Sequence, residues 1–539
     1  MPADKQRDRR PRKGRIAFIA PGSSGALQPA VFGNKAANLA RMASLGVPVP
    51  PAFVLGVSVC EDYFRNDGRL PEDVPDLLEQ GLRHLELATG LRYGDRRRPL
   101  LVSVRSGAPV SLPGLMETLL NVGLSRQTLE GVVFATGNPR FAWDSYRRLV
   151  QSVGETVYGH QPTLYESVMA RTLRSEGIPD AGELDSRTLR TIANEYEELF
   201  AEAVGSRFPA SPTEQLKLAV TAVLQSARSA RVDSFVKADM LREAPSTAVT
   251  VQAMVFGNAG MSSGAGVVFT RNPATGFPEM MVDFKLGAQG DDVVSGRATG
   301  SAAEFERTLP GAAEELKGVC HRLEVAYGDM QDVEFTVQEK KLFILQSRSG
   351  KRAPLAALRI AVDLVSEGVL SEEQAQARLT GVALDDIVIT RVETSERAIA
   401  HGEPASTGVA SGRAAFSSES AEVYAGQGPV ILVTDSLSPD DLPGVVAASG
   451  VLAAHGARTA HAAVVARQLG KVCIVNCSEL VLGMASQKAQ LGRRRLKEGD
   501  MITLDGNTGD VYWGEIAVTE ERPVELLATV AGWTSAEPV

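Results

Sequence analysis

The sequence predicts a multidomain protein of mixed α/β and α+β type, and three observations carry that expectation. At 539 residues the chain is too long for a single hydrophobic core, so three or four domains are expected. Apolar runs of strand length recur around residues 100–105, 247–257, 330–348 and 429–475. Between the first two, from about residue 125 to about residue 235, a 3.6-residue periodicity takes over, so a helical block interrupts the strands.

Composition narrows the class. With 44% hydrophobic and 22% charged residues the chain reads as an ordinary globular protein. A net charge of -9, spread along the chain, argues against nucleic acid as the main partner. The exception is the start, where Lys5, Arg7, Arg9, Arg10, Arg12, Lys13 and Arg15 form a basic arm expected to be disordered and solvated. No apolar stretch follows it and none elsewhere is long enough to span a bilayer, so a cytoplasmic location without a membrane partner is expected. Cys60, Cys320, Cys473 and Cys477 lie singly or in predicted strands, as reduced cysteines would.

Taken in order, residues 31–42 look like a turn feeding a helix closed near Gly46, with Lys35 at the junction. A lysine there suits a phosphate, although a lone one is also commonly just exposed. Residues 100–105 form a buried-type strand ending in Arg105, followed by a loop rich in Gly, Ser and Pro over 106–114. Such a loop can close over phosphate with backbone N–H donors, and an ordinary turn has the same composition. Residues 141–150 are helical and carry Arg148. Residues 247–257, the glycine-rich turn at 262–266 and residues 267–271 read as one hairpin, and residues 330–337 with 341–348 as a second. In the second hairpin Asp332 and Glu334 alternate on one strand, as do Gln346 and Arg348 on its partner, so each pair shares a face. Carboxylate, amide oxygen and arginine together suit Mg²⁺ with a polyphosphate, while a polar solvent-facing sheet would alternate in the same way. Residues 354–379 are helical, with Ser371 capping the second half.

The stretch of greatest chemical interest comes late. A strand at 450–454, a helix from Ala462 to Leu469 and a strand at 471–475 place His461 in the first turn, with Thr459 as N-cap and Gly470 as stop. The positive end of a helix favours a negatively charged group, as a phosphorylated imidazole would be. A histidine at a helix start is also commonly a polar surface residue. Ala460, Ala462 and Ala463 are small enough to leave room around it. Residues 505–512 form a turn between short strands, and a weakly patterned tail follows.

Laid side by side, these stretches resemble the pyruvate, phosphate dikinases and, more distantly, phosphoenolpyruvate synthases and rifampin phosphotransferases. The words that carry the resemblance are Val102-Ser103-Val104-Arg105-Ser106-Gly107-Ala108, Pro113-Gly114, Gly137-Asn138-Pro139-Arg140-Phe141-Ala142, Asp144-Ser145-Tyr146-Arg147-Arg148, Val255-Phe256-Gly257-Asn258, Phe269-Thr270-Arg271-Asn272-Pro273, Leu345-Gln346, Gly350-Lys351-Arg352 and residues 459–467. They occur in the family's order from about residue 16 to about residue 515. The resemblance implies ATP-grasp nucleotide-binding lobes with a helical insertion, followed by a swivelling β/β/α phosphohistidine domain. On this chain the implied boundaries are 16–124 for the first lobe, 125–210 for the insertion and 211–352 for the rest of the ATP-grasp region. A helical linker at 353–400, the phosphohistidine domain at 401–515 and a tail at 516–539 follow, after the arm at 1–15.

The resemblance also implies residue roles. His461 is the phosphorylated residue, Lys35, Arg105, Arg148 and Arg348 hold ATP phosphates, and Glu334 and Gln346 bind Mg²⁺. Asp283, Asp291 and Asp292 match acidic residues near the nucleotide. ATP is then a substrate, AMP a product, and inorganic phosphate takes the γ-phosphoryl group. Departures from the family pattern accompany these matches: Asn34 follows Gly33 where a glycine pair is usual, which implies a stiffer loop, Ala460 replaces a serine, and Arg458 stands where methionine is usual. The family's phosphoenolpyruvate/pyruvate-binding barrel has no counterpart here, so a separate barrel subunit or another acceptor-binding protein is the expected partner. Transfer to another small molecule or a carrier protein, and a nucleotide-binding regulatory protein without turnover, are the alternatives. A regulatory role for Thr459 is a further one.

Overall fold

The computed structural model describes residues 14–108, 118–178, 181–229, 246–290, 293, 302–437, 441–456, 458, 461–483 and 488–533. The chain divides into two compact units, Met1–Gly260 with Phe343–Gln346, and Met261–Leu342 with Ser347–Val539.

The first unit is built on a five-stranded antiparallel sheet. Its strands are β1 (Ile16–Ile19), β2 (Ala52–Leu55), β5 (Val102–Gly107), β6 (Thr118–Val122) and β7 (Ala248–Ala253), in the order β1-β2-β7-β5-β6. The short strands β3 (Arg92–Tyr93) and β4 (Pro99–Leu100) pair separately. Every residue of β2 and β7 is buried, so the sheet is covered on both faces, which is why these runs read as continuous apolar stretches rather than alternating ones. Helices spaced by the 3.6-residue pattern supply the cover. Pro139–Tyr158 packs on Ser186–Val204, capped by Asn138 accepting from the Phe141 amide at 3.0 Å and by Asp185 accepting from that of Thr188 at 2.7 Å.

Two elements depart from what the sequence predicts. The strand at Ala248–Ala253 does not form a hairpin with the following one: it joins β2 and β5 in this sheet, while its sequence neighbour belongs to the second unit. Arg15, expected in a solvated arm, is 6% exposed, its guanidinium donating to Asp73 at 2.9 and 2.7 Å and to Asp62 at 2.6 Å. The remainder of the expected arm, through residue 13, lies outside the described residues.

The second unit begins with a four-stranded sheet in the order β11-β10-β8-β9, made of β8 (Gly264–Phe269), β9 (Met281–Leu286), β10 (Gln331–Gln338) and β11 (Lys341–Ser349), of which Phe343–Gln346 are grouped with the first unit. Glu339 and Lys340 join the last two with φ of 49° and 68°, the left-handed pair a two-residue hairpin turn requires. One face of the sheet is aromatic: Phe284 lies 4.4 Å from Phe305, and Phe305 lies 5.4 Å from Phe335. A side chain at Gly266 would meet the Phe335 ring at 2.5 Å, so only glycine admits that ring.

Helices Pro354–Ser366 and Glu372–Leu379 follow, the second opened by a capping box between Ser371 and Gln374. Next come β12 (Ile389–Val392), β13 (Ala400–His401), β14 (Glu403–Ser406), β15 (Val409–Ala415), β16 (Val430–Ser436), β17 (Gly450–His455) and β18 (Val472–Val475). After a small three-stranded sheet, β19 (Leu480–Leu482), β20 (Lys488–Leu491) and β21 (Arg494–Lys497), the chain continues into β22 (Met501–Asp505) and β23 (Asp510–Trp513). These form an eight-stranded mixed sheet, β13-β23-β22-β15-β16-β17-β18-β14, in which β15 to β18 run parallel. The tail is more regular than its sequence suggests. Strand β24 (Val518–Glu521) pairs antiparallel with β12, and the Val524–Trp533 helix packs on Pro354–Ser366 through Leu526, Leu527 and Val530.

Candidate functional site

In the first unit, the helix that contains Lys35 is interrupted at Gly33, whose φ of 77° and ψ of 158° are not helical. A Cβ at Gly33 would stand 1.8 Å from the Gly107 carbonyl oxygen, so glycine is required there by both conformation and space. Regular helix begins at Asn34, whose amide donates to the Ala108 carbonyl at 3.2 Å. The strained position is thus the glycine the chain retains. Asn34 itself has helical backbone angles. Lys35 is consequently held beside the end of β5, its Cβ 3.7 Å from where a Cβ on Gly107 would lie, at the positive end of the helix.

Arg105 does not end its strand, as expected from sequence, because β5 continues through Gly107 and pairs Arg105 with Thr118 on one side and Thr250 on the other. Arg148 donates to Asp144 at 3.0 Å, and Arg147 contacts the same carboxylate at 2.5 Å. Burial alone would raise the Asp144 carboxyl, but Arg147, Arg148 and Arg140 outweigh it and hold it below the usual carboxylate range. Lys35, Arg105 and Arg148 therefore belong to the same compact unit.

In the second unit, strand register places the acidic residues. Glu334 and Asp283 both stand opposite Val267, and Asp332 and Met281 both stand opposite Phe269. Val267 and Phe269 are two apart on one strand, so all of these share the face opposite the phenylalanines. The expected alternation of Asp332 with Glu334 is present, and Asp283 joins them. Arg348 donates to Asp332 at 2.7 Å. Burial pushes Asp332 up, whereas Arg348, whose side chain is 43% exposed, loses less to burial than it gains from Asp332 and Glu334 and is raised. Gln346 precedes Arg348 by two on β11 and so shares its face. Asp291 and Asp292 lie outside the described residues.

No three His, Cys, Asp or Glu side chains among the described residues converge to hold a metal ion. Mg²⁺ commonly takes one or two carboxylates and completes its shell with phosphate oxygens and water, so the oxygen donors of Glu334 and Gln346 fit its chemistry.

The helix His461–Gln468 crosses between the parallel strands β17 and β18 and opens at His461. Gly470, with φ of 67°, ends the segment as expected. Thr459 and Ala460 lie outside the described residues. Ala463 does not leave open space. With Ala466 it is fully buried in a cluster containing Val451, Ala453, Cys473 and Val475 of its own domain. Val464 belongs instead to a cluster with Phe269 and Met281 on the acidic face of the four-stranded sheet. Arg467, the last residue of the motif at 459–467, is completely buried and lies 5.6 Å from the Phe269 ring, a placement the sequence pattern does not reveal. An arginine near a helix end ordinarily reads as solvated.

The family described as "Pyruvate phosphate dikinase, AMP/ATP-binding domain" matches residues 68–308 and 303–367. The chain belongs to the pyruvate, phosphate dikinase family. A second family, "PEP-utilising enzyme, mobile domain", matches residues 426–509, which include the His461 helix. The chain is 40% identical over 509 residues to the chloroplastic pyruvate, phosphate dikinase of Flaveria pringlei, covering 93% of this chain and 53% of that protein. To the pyruvate, phosphate dikinase of Rhizobium meliloti (strain 1021) it is 39% identical over 521 residues, covering 94% of this chain and 58% of the relative. To that of Clostridium symbiosum it is 38% identical over 499 residues, covering 91% and 57% respectively. The chain thus spans about half the length of the curated dikinases it matches. No helix among the described residues is long and apolar enough to cross a membrane.

Proposed function

We propose that this dikinase-family chain is an ATP-dependent phosphotransferase in which ATP phosphorylates His461. The observation that carries the reading is the seating of the His461 helix, through Val464 and Arg467, on the sheet face that bears Glu334, Asp332 and Asp283. In this reading the two lobes are of ATP-grasp type and the mobile domain swivels. Lys35, Arg105, Arg148 and Arg348 bind the polyphosphate, and Asp283, with Asp291 and Asp292, lies near the nucleotide. Glu334 and Gln346 hold Mg²⁺, which when bound offsets phosphate charge.

His461 in its neutral form supplies a nitrogen lone pair to phosphorus, and the arginines stabilise the charge that builds on the transferred group. The family implies that the β-phosphoryl remains on histidine, that the γ-phosphoryl passes to inorganic phosphate, and that AMP leaves. The acceptor of the histidine-borne group is pyruvate where a phosphoenolpyruvate/pyruvate-binding barrel presents it. Incubation with ATP labelled at the β-position and Mg²⁺ is expected to give an acid-labile label on the wild type and none on His461→Ala. An unlabelled wild type that still binds ATP would instead favour a nucleotide-binding regulatory protein.

A further inference from the structure

Three contacts attach the His461 helix and the residue ahead of it to the four-stranded sheet. Val464 contributes apolar surface, Arg467 lies over Phe269, and Arg458 reaches Asp283, with Nη2 3.9 Å from Oδ1. Arg458 also approaches Glu403 on β14, Nε to Oε2 at 3.2 Å, so one guanidinium links a strand of its own domain to the acidic face. Its backbone is held from behind. Arg467 donates through Nη2 to the Arg458 carbonyl at 3.1 Å, and through Nε and Nη2 to the Ala405 carbonyl at 2.8 and 2.5 Å.

The charges make this arrangement more than a surface pair. Asp283 is 3% exposed, and the Arg458 side chain is 28% exposed, so little solvent screens them. At 3.9 Å the contact with Asp283 is coulombic rather than a hydrogen bond, and its strength falls gradually with separation instead of demanding one geometry. Asp332, in the next row of the same face, adds a second carboxylate whose field acts on Arg467. The two arginines that flank His461 thus answer two carboxylates on the sheet.

We propose that Arg458 is a positioning residue. By bridging Glu403 and Asp283 it helps to seat the His461–Gln468 helix on the acidic sheet face and fixes where a phosphoryl donor meets that histidine. The effect on catalysis rests on the reading of His461 as the phosphorylated residue; the seating itself does not. Arg458 acts through placement of the helix rather than on the reacting atoms.

Hydrogen–deuterium exchange on the nucleotide-free full chain tests the seat directly. Amides of His461–Gln468 are expected to exchange at least about threefold faster in Arg458→Met and in Asp283→Asn, with the double variant no faster than the larger single effect. Additive effects, or no change in Arg458→Met, would overturn the proposal. A second measurement follows His461 labelling by ATP. Arg458→Met is expected to lower the maximal rate about tenfold while half-saturation by ATP stays within about twofold, and Arg458→Lys to recover part of the rate. Raised half-saturation at an unchanged maximal rate would make Arg458 a nucleotide ligand and overturn it equally. If the wild type takes no label, the proposed function fails, and the exchange cycle alone decides the seat.

Discussion

Two arginines of the second unit are almost equally buried, and their surroundings differ completely. Arg271 is 2% exposed and Arg467 is 0% exposed. Arg271 donates to Glu324 from Nε and Nη2, both at 2.9 Å, and to Glu367 at 2.6 Å, with Asp363 at 3.7 Å. Burial works against its charge, but Glu324 and Glu367 outweigh burial and raise it. Arg467 finds backbone carbonyls and an aromatic ring instead, and burial pulls its guanidinium down, although the Nη1 atoms of both arginines are without a hydrogen-bond partner among the described residues. The first is a strut whose charge is met by three carboxylates, joining the sheet to the Pro354–Ser366 helix and its end. The second is a cation held at a seam, with compensation at a distance. Burial of a charge therefore says little by itself; the number and type of its partners separate scaffold from site.

The comparison is broken most severely at the strut. Arg271→Met leaves Glu324, Glu367 and Asp363 facing one another, and a loss of about 3–5 kcal/mol is expected in urea unfolding. A loss below about 1 kcal/mol would remove the distinction between the two arginines. Arg467→Met is expected to cost less, about 1–2 kcal/mol, because it deletes two carbonyl contacts together with an incompletely compensated charge. A larger loss than that of Arg271→Met would reverse the assignment.

The smallest effect concerns pH. Burial places the folded-state pKa of Asp332 above its unfolded value, so the folded chain holds this proton more tightly. Its contribution is therefore most favourable below the unfolded pKa and is lost as pH rises through the folded one. The stability of the wild type relative to Asp332→Asn should accordingly fall as pH rises above the ordinary carboxylate range in a series of unfolding curves. A difference that grows with pH would mean that Arg348 and Arg467 outweigh burial at Asp332.

Much of this organisation is legible in the sequence where local pattern decides it. The alternation of Asp332 with Glu334 fixes a common face, and the strand–helix–strand pattern puts His461 at a helix start. What is missed depends on partners far away in the chain. The run at 247–257 and the strand after it look like two arms of a hairpin, yet β7 finds β2 and β5, because strand pairing is a tertiary choice that periodicity does not encode. Arg15 reads as a solvated cation, and the burial of Arg458 and Arg467 is equally invisible, because their partners, Asp73, Asp283 and the Ala405 carbonyl, are distant in sequence. The tail is short on alternation because β24 pairs with only one strand, and all four of its residues are exposed.

That last pairing has an engineering consequence. Ile389–Val392 enters and Val518–Glu521 leaves the eight-stranded domain side by side, with Ile389 opposite Glu521 and Val392 opposite Val518. The covalent connections of everything between run through one two-ply stem. A segment whose ends meet in this way behaves as a cassette: it can be lifted out as a single piece, or the stem closed by a short turn in its place, without stretching the chain on either side.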